Sequence, residues 1–211
     1  MDDSNLIKLL QGSFTLPVRG MEKFCVGKFS RLLEEFGTTE FEKLVEDSRY
    51  QEIIAKGMIL GYNEHRVYNG QSYGYHWGID VMSPEGTQVY AIDSARVIRV
   101  QSIDDKTANY KGETYGNNLM VVNEYENESG RLSLFMLYGH LGNLGNKYVK
   151  GQMIEKGEKI GVIGKGFSVE NGGWPPHLHV QVALSTQGLN PYGGPELEAL
   201  TIDLEKVWKL R

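Results

Sequence analysis

The chain has 211 residues, a formal net charge of −5, 40% hydrophobic residues and a single cysteine. That length and apolar content suit one sizeable domain with a small appendage and exclude a wholly disordered chain. The acidic balance excludes a basic nucleic-acid footprint, the absence of an apolar run of about 18 residues excludes a helical membrane span, and Cys25 alone excludes an internal disulfide.

The start, MDDSNLIKLL, is acidic where a secretory signal is basic, and no long apolar stretch follows. The expectation is a cytoplasmic protein, or a periplasmic or extracellular one if a signal has been removed. Residues 1–58 read as a helical N-terminal segment. Thr39 and Glu42 fit a capping box, followed by Phe41, Leu44 and Val45 at helical spacing. Ser48 and Gln51 offer a second start, with Tyr50, Ile53 and Ile54 on one face and Gly57 as the stop. These helices carry no evident chemistry and suit packing or a lid. Cys25, with no histidine or basic cluster nearby in sequence, reads as a small buried apolar residue.

The pattern changes over residues 59–185. TQVYAIDSARVIRV, NNLMVVNEY, LSLFMLYGH and HLHVQVAL are rich in Val, Ile, Leu and Tyr, and the turn signals SPEG, NESG, EKGEKIG and ENGGWPP separate them. Most of the 26 glycines lie in this part of the chain or beyond it. Short links between such runs predict a mainly β fold, antiparallel, as a compact sheet or sandwich. Residues 186–211 form a turn-rich C-terminal extension that ends in a short helix over TIDLEKVWKL.

Three short pieces carry candidate chemistry. In YHWGID, His76 and Asp80 flank Gly78. On an extended strand they would stand ~13 Å apart, whereas two ligands of one zinc lie within about 4 Å, so the chain must bend if both bind one ion. Gly78 allows that bend. In LYGHLG, His140 ends an apolar run beside glycines and can project into a cleft. In WPPHLHVQV, His177 and His179 share one face of a strand, with Leu178 and Val180 on the other. Taken singly, each piece also fits a structural role: a turn aspartate, a strand-end histidine, a histidine pair satisfied by carbonyls. Taken together, three ligands with an open fourth position and two remaining histidines fit a catalytic zinc site better than a closed structural one. His65, between Glu64 and Arg66, reads as part of a surface hydrogen-bonding network. Tyr73, Tyr75 and Tyr115 could line a groove or donate to an oxyanion, but Tyr is common in strands and packing is the better account of them.

HWGID, YGHL and HLH, in that order and with GTQVYAIDSARVIRV, YGNNLMVV and GQMIEKGEKIGVIG between them, resemble the motifs of the lysostaphin/LytM-type zinc metallopeptidases over residues ~59 to ~185. The resemblance implies an antiparallel β fold with a groove across one sheet, one Zn2+ ion and endopeptidase activity, in many members against peptidoglycan. It implies His76, Asp80 and His179 as metal ligands, His177 as general base and His140 as its partner. GKGFSVENGGWPPHLH departs from the usual short linker, and GYNEHRVYN, YHWGID, LYGHL and ENGGWPPHLHVQV together are similar to a branch without an export signal that is sometimes fused to an aminotransferase-like enzyme. For that branch muropeptide fragments, other small peptides or a non-peptidoglycan amide are the candidate substrates. A non-catalytic peptidoglycan-binding or activator module is the competing class, and such modules generally lack ligands that this chain has.

Overall fold

The computed structural model describes residues 3–37, 43, 46–68, 71–103, 115–127, 130–190 and 194–210. The capping box expected at Thr39 and Glu42, with Phe41, Leu44 and Val45, lies outside them. In chain order the helices are α1 (Asp3–Ser13), α2 (Phe29–Phe36), α3 (Ser48–Lys56) and α4 (Leu204–Trp208). The strands are β1 (Cys25–Gly27), β2 (Met58–Leu60), β3 (Glu64–Tyr68), β4 (Gln71–His76), β5 (Ile79–Met82), β6 (Gln88–Tyr90), β7 (Ala95–Gln101), β8 (Asn117–Asn127), β9 (Gly130–Leu141), β10 (Met153–Ile154), β11 (Lys159–Val162) and β12 (His177–Ala183).

One eight-stranded sheet, in the order β1-β2-β5-β12-β9-β8-β7-β10, is accompanied by two ribbons, β11-β6 and β3-β4. Every pair but one is antiparallel, as the short links require; β1 and β2 run parallel because the helices α2 and α3 carry the chain back between them. The period of two sorts side chains between the sheet faces. Ile79 and Val81 of β5, Leu134, Met136 and Tyr138 of β9, and Leu178, Val180 and Val182 of β12 enter the main core. Leu6 and Leu10 of α1 reach the same core at helical spacing, and Leu204 and Val207 of α4 join it.

A second cluster holds the other N-terminal helices. Phe29 and Leu32 of α2 and Tyr50 and Ile54 of α3 pack with Leu60 and Met82, and Trp174 leans against them. Helix α3 ends where expected, at Gly57 with φ 82°, but its N-cap is Asp47, whose carboxylate accepts from Arg49 N at 2.9 Å, rather than Ser48. An ionised carboxylate just before the first turn is the stronger cap. Cys25 is a correction: it is exposed, on β1, the outer strand of the sheet. No helix among the described residues is long and apolar enough to cross a membrane.

Candidate metal and active site

Sheet register gathers the three motifs. β12 lies between β5 and β9, so that His179 pairs with Asp80 on one side and with Gly139 on the other. The same alternation that buries Leu178 and Val180 in the core turns His177, His179 and Gln181 to the opposite face. His76 ends β4, and the chain turns through Trp77 and Gly78 into β5, so residues 76 and 80 meet as the spacing required. Gly78 serves this turn by its size. A Cβ there would stand 2.6 Å from His179 Cε1 and 2.7 Å from Val180 O.

Three donor atoms form a nearly equilateral triangle. His76 Nε2 is 3.1 Å from Asp80 Oδ1 and 3.0 Å from His179 Nδ1, and His179 Nδ1 is 3.0 Å from Asp80 Oδ1. Ligands of one tetrahedral zinc, with bonds of ~2.0–2.1 Å, lie about 3.3 Å apart, so the donors are a few tenths of an ångström from that spacing. The hydrogen bonds on the far sides of the rings also fit a metal. His179 Nε2 donates to Gln181 Oε1 at 3.2 Å, which leaves Nδ1 bare toward the triangle. Gln181 is fixed in turn, accepting from the Tyr115 hydroxyl at 3.0 Å and donating to Gly188 O. His76 Nδ1 lies 3.2 Å from the acceptor Gly61 O and 3.0 Å from the donor Arg66 Nη2, two neighbours that favour opposite tautomers.

His140 and His177 stand beside the triangle. Their ring centroids are 4.1 Å apart, and His177 Nε2 is 3.7 Å from Asp80 Oδ1. One loop orients both. His140 Nδ1 donates to Asn171 O and His177 Nδ1 to Pro175 O, each at 2.7 Å. Both Nε2 atoms are therefore bare in the neutral rings. Asn171, fully buried, ties the two carbonyls together: with its amide nitrogen facing the loop it donates to Trp174 O at 2.6 Å and Pro175 O at 3.2 Å. His140 itself has φ 59°, in the left-handed region that costs a non-glycine residue about 1 kcal/mol or more.

Burial holds all four imidazoles below the ordinary histidine range, His140 furthest, with His177 and His179 adding to its shift. Burial alone would raise the Asp80 carboxyl, but the Arg66 guanidinium beside it holds it well below the usual carboxylate range. The site thus presents neutral nitrogens and an ionised oxygen, the protonation states a zinc site needs.

The structure brings His76, Asp80, His140, His177 and His179 together and leaves His65 outside, on Ser72 Oγ at 3.0 Å and against Tyr75. Arg66, read from sequence as part of that surface network, instead turns inward: Nη1 is 2.7 Å from Asp80 Oδ2. Glu64, two residues earlier, is buried as well and accepts from Phe29 N, and Arg66 lies over the Phe29 ring at 5.8 Å, so the period of two turns both inward together. The Tyr115 ring lies over His179 at 4.6 Å, and Tyr75 stacks on Trp77 at 5.4 Å. Nothing is described of the Tyr73 side chain. Sequence reading missed Arg66, Asn171 and Gln181. Gln181 was within reach, since it falls on the His177/His179 face by the period of two.

Among known sequences and structures, the model of Peptidase family M23 matches residues 74–191. A zinc-containing peptidase from Vibrio cholerae shares 26% identity over 58% of this chain and 31% of its own, at TM-score 0.39. The catalytic domain of the antimicrobial peptidase lysostaphin from Staphylococcus simulans shares 26% over 58% of this chain and 76% of its own, at TM-score 0.39. The solution structure of lysostaphin shares 24% over 71% of this chain and 49% of its own, at TM-score 0.44. The chain therefore spans less than a third of the Vibrio protein. No protein of curated function matches. With more than half of its length matched, the chain belongs to Peptidase family M23, a family of zinc metallopeptidases.

Proposed function

We propose that the chain is a zinc-dependent endopeptidase that hydrolyses peptide bonds in peptidoglycan-derived or other small peptides. The observation that carries the reading is the triangle of His76 Nε2, Asp80 Oδ1 and His179 Nδ1, 3.0–3.1 Å on a side, with the bare His177 Nε2 beside it. These three atoms would hold the zinc. A bound zinc supplies Lewis acidity, which acidifies water and polarises a carbonyl.

The protein residues then move protons. His177 takes the proton of the attacking water on Nε2, because its Nδ1 proton is committed to Pro175 O, and passes it to the leaving nitrogen. His140 keeps its neutral-state proton on Nδ1, where it donates to Asn171 O, so its Nε2 donates to a developing oxyanion only as an imidazolium. Burial opposes that charge at rest, and negative charge growing on the substrate oxygen favours it. His140 is thus the electrostatic partner and His177 the base.

The test compares zinc content and peptide hydrolysis for the wild type, His179→Ala and His177→Ala. We expect His179→Ala to lose both, and His177→Ala to keep zinc while losing hydrolysis. A wild type without stoichiometric zinc overturns the metal assignment; an active His177→Ala overturns the base assignment. Profiling peptidoglycan fragments against unrelated peptides and non-peptide amides then decides the substrate.

A further inference from the structure

Arg66 is an unusual neighbour for a zinc ligand. Its guanidinium lies 2.7 Å from Asp80 Oδ2 and 3.0 Å from His76 Nδ1, with its side chain 14% exposed, and so brings a permanent positive charge to the outer side of a site for a dication. It comes from β3, outside the residues 74–191 that the family model matches.

Two features set its effect. Asp80, 5% exposed in its side chain, is a buried carboxylate, and a buried charge without a partner is strongly unfavourable. Arg66 is a permanent cation 2.7 Å from it. Arg66 also acts on His76. A guanidinium only donates, so its approach to Nδ1 favours the tautomer with the proton on Nε2, where it points to Asp80 Oδ1 at 3.1 Å. Metal ligation needs the other tautomer, with Nδ1–H on Gly61 O and Nε2 bare. The charge of Arg66 therefore favours the metal-free site, and its contact with Nδ1 opposes the ligating tautomer that Gly61 O, at 3.2 Å, favours.

We propose that Arg66 is a positioning residue that serves as the counter-ion of the metal-free site, pairing with the buried Asp80 carboxylate when zinc is absent and lowering the affinity for zinc in return. The proposal rests on the assignment of His76, Asp80 and His179 as the metal site. It differs in sign from an ordinary orienting partner, whose loss weakens metal binding about 10–100-fold.

The test uses the full chain stripped of metal, as wild type, Arg66→Met and Arg66→Lys. Zinc affinity is read by competition with a chromophoric chelator, and thermal unfolding is followed with and without zinc. Arg66→Met should bind zinc roughly ten-fold more tightly and should unfold at a lower temperature than wild type only when metal-free. Arg66→Lys, which keeps the charge, should stay near wild type in affinity. Equal or weaker zinc binding by Arg66→Met overturns the proposal, as does unchanged metal-free stability. If Arg66→Met does not fold without metal, refolding in zinc decides: recovery supports the role, and failure in both conditions overturns it. A wild type that takes up no zinc overturns the metal assignment itself, before any variant is compared.

Discussion

His140 and His177 face each other at 4.1 Å between ring centroids, and both are aimed by carbonyls of one loop, at Asn171 and Pro175. That loop, Gly164–Pro176, is the stretch in which the sequence departs from the usual linker of its family. Its length has a use: it reaches across to hold both histidines by their Nδ1 atoms.

Asn171→Ala should therefore disturb both histidines and spare the metal. We expect kcat to fall by up to about 100-fold, the scale of a ~1 Å misplacement, with zinc content unchanged. Asn171→Asp should do worse, since a carboxylate would repel the Trp174 and Pro175 carbonyls that now accept from the amide. Steady-state kinetics with metal analysis checks both.

Gln181→Leu removes the acceptor for His179 Nε2 and leaves the ring free to choose either tautomer. Zinc affinity should fall about 10–100-fold. Gln181→Glu keeps an acceptor for both His179 and Tyr115 and should stay closer to wild type. Chelator competition separates the two.

Gly78→Ala tests whether the turn of the first motif needs space. The new methyl would meet His179 Cε1 at 2.6 Å and backbone at Val180 O. Overpacking of this kind costs about 1–3 kcal/mol, and the displaced ring should lose metal. Thermal unfolding and zinc content should fall together.

At residue 140 the ordinary order of Gly and Ala should reverse. With φ 59°, glycine meets no Cβ penalty. His140→Gly should be more stable than His140→Ala by about 1 kcal/mol, both being inactive. Denaturant unfolding midpoints measure the difference.

Much of this site was legible from the chain. The same-face pair His177 and His179 follows from the period of two, and the meeting of His76 with Asp80 follows from the need for a turn at Gly78. What the spacing could not show was why Gly78 is there, since the crowding by His179 comes from a strand about a hundred residues away. His140 was predicted at a strand end, yet strict alternation after Tyr138 in the core would send it to the core face; a single left-handed residue breaks the period. Glu64 and Arg66 were read as surface residues because nothing in NEHRVY shows that α2 and Asp80 lie against that face of β3. Cys25 was read as buried because nothing in CVG shows that the strand lies at the edge.

The partners of the first motif set the smallest piece of this protein that should work alone. The acceptor for His76 is Gly61 O, the ion-pair partner of Asp80 is Arg66, and Leu60 of β2 pairs with Asp80 itself. Glu64, between them, caps α2 through Phe29 N and Ser30 N at 2.9 and 2.8 Å. A fragment cut at residue 74, where the family match begins, would carry all five site residues and none of these supports. Excising a minimal catalytic unit from this chain should keep β1 to β3 and α1 as well, since Leu6 and Leu10 of α1 belong to the main core.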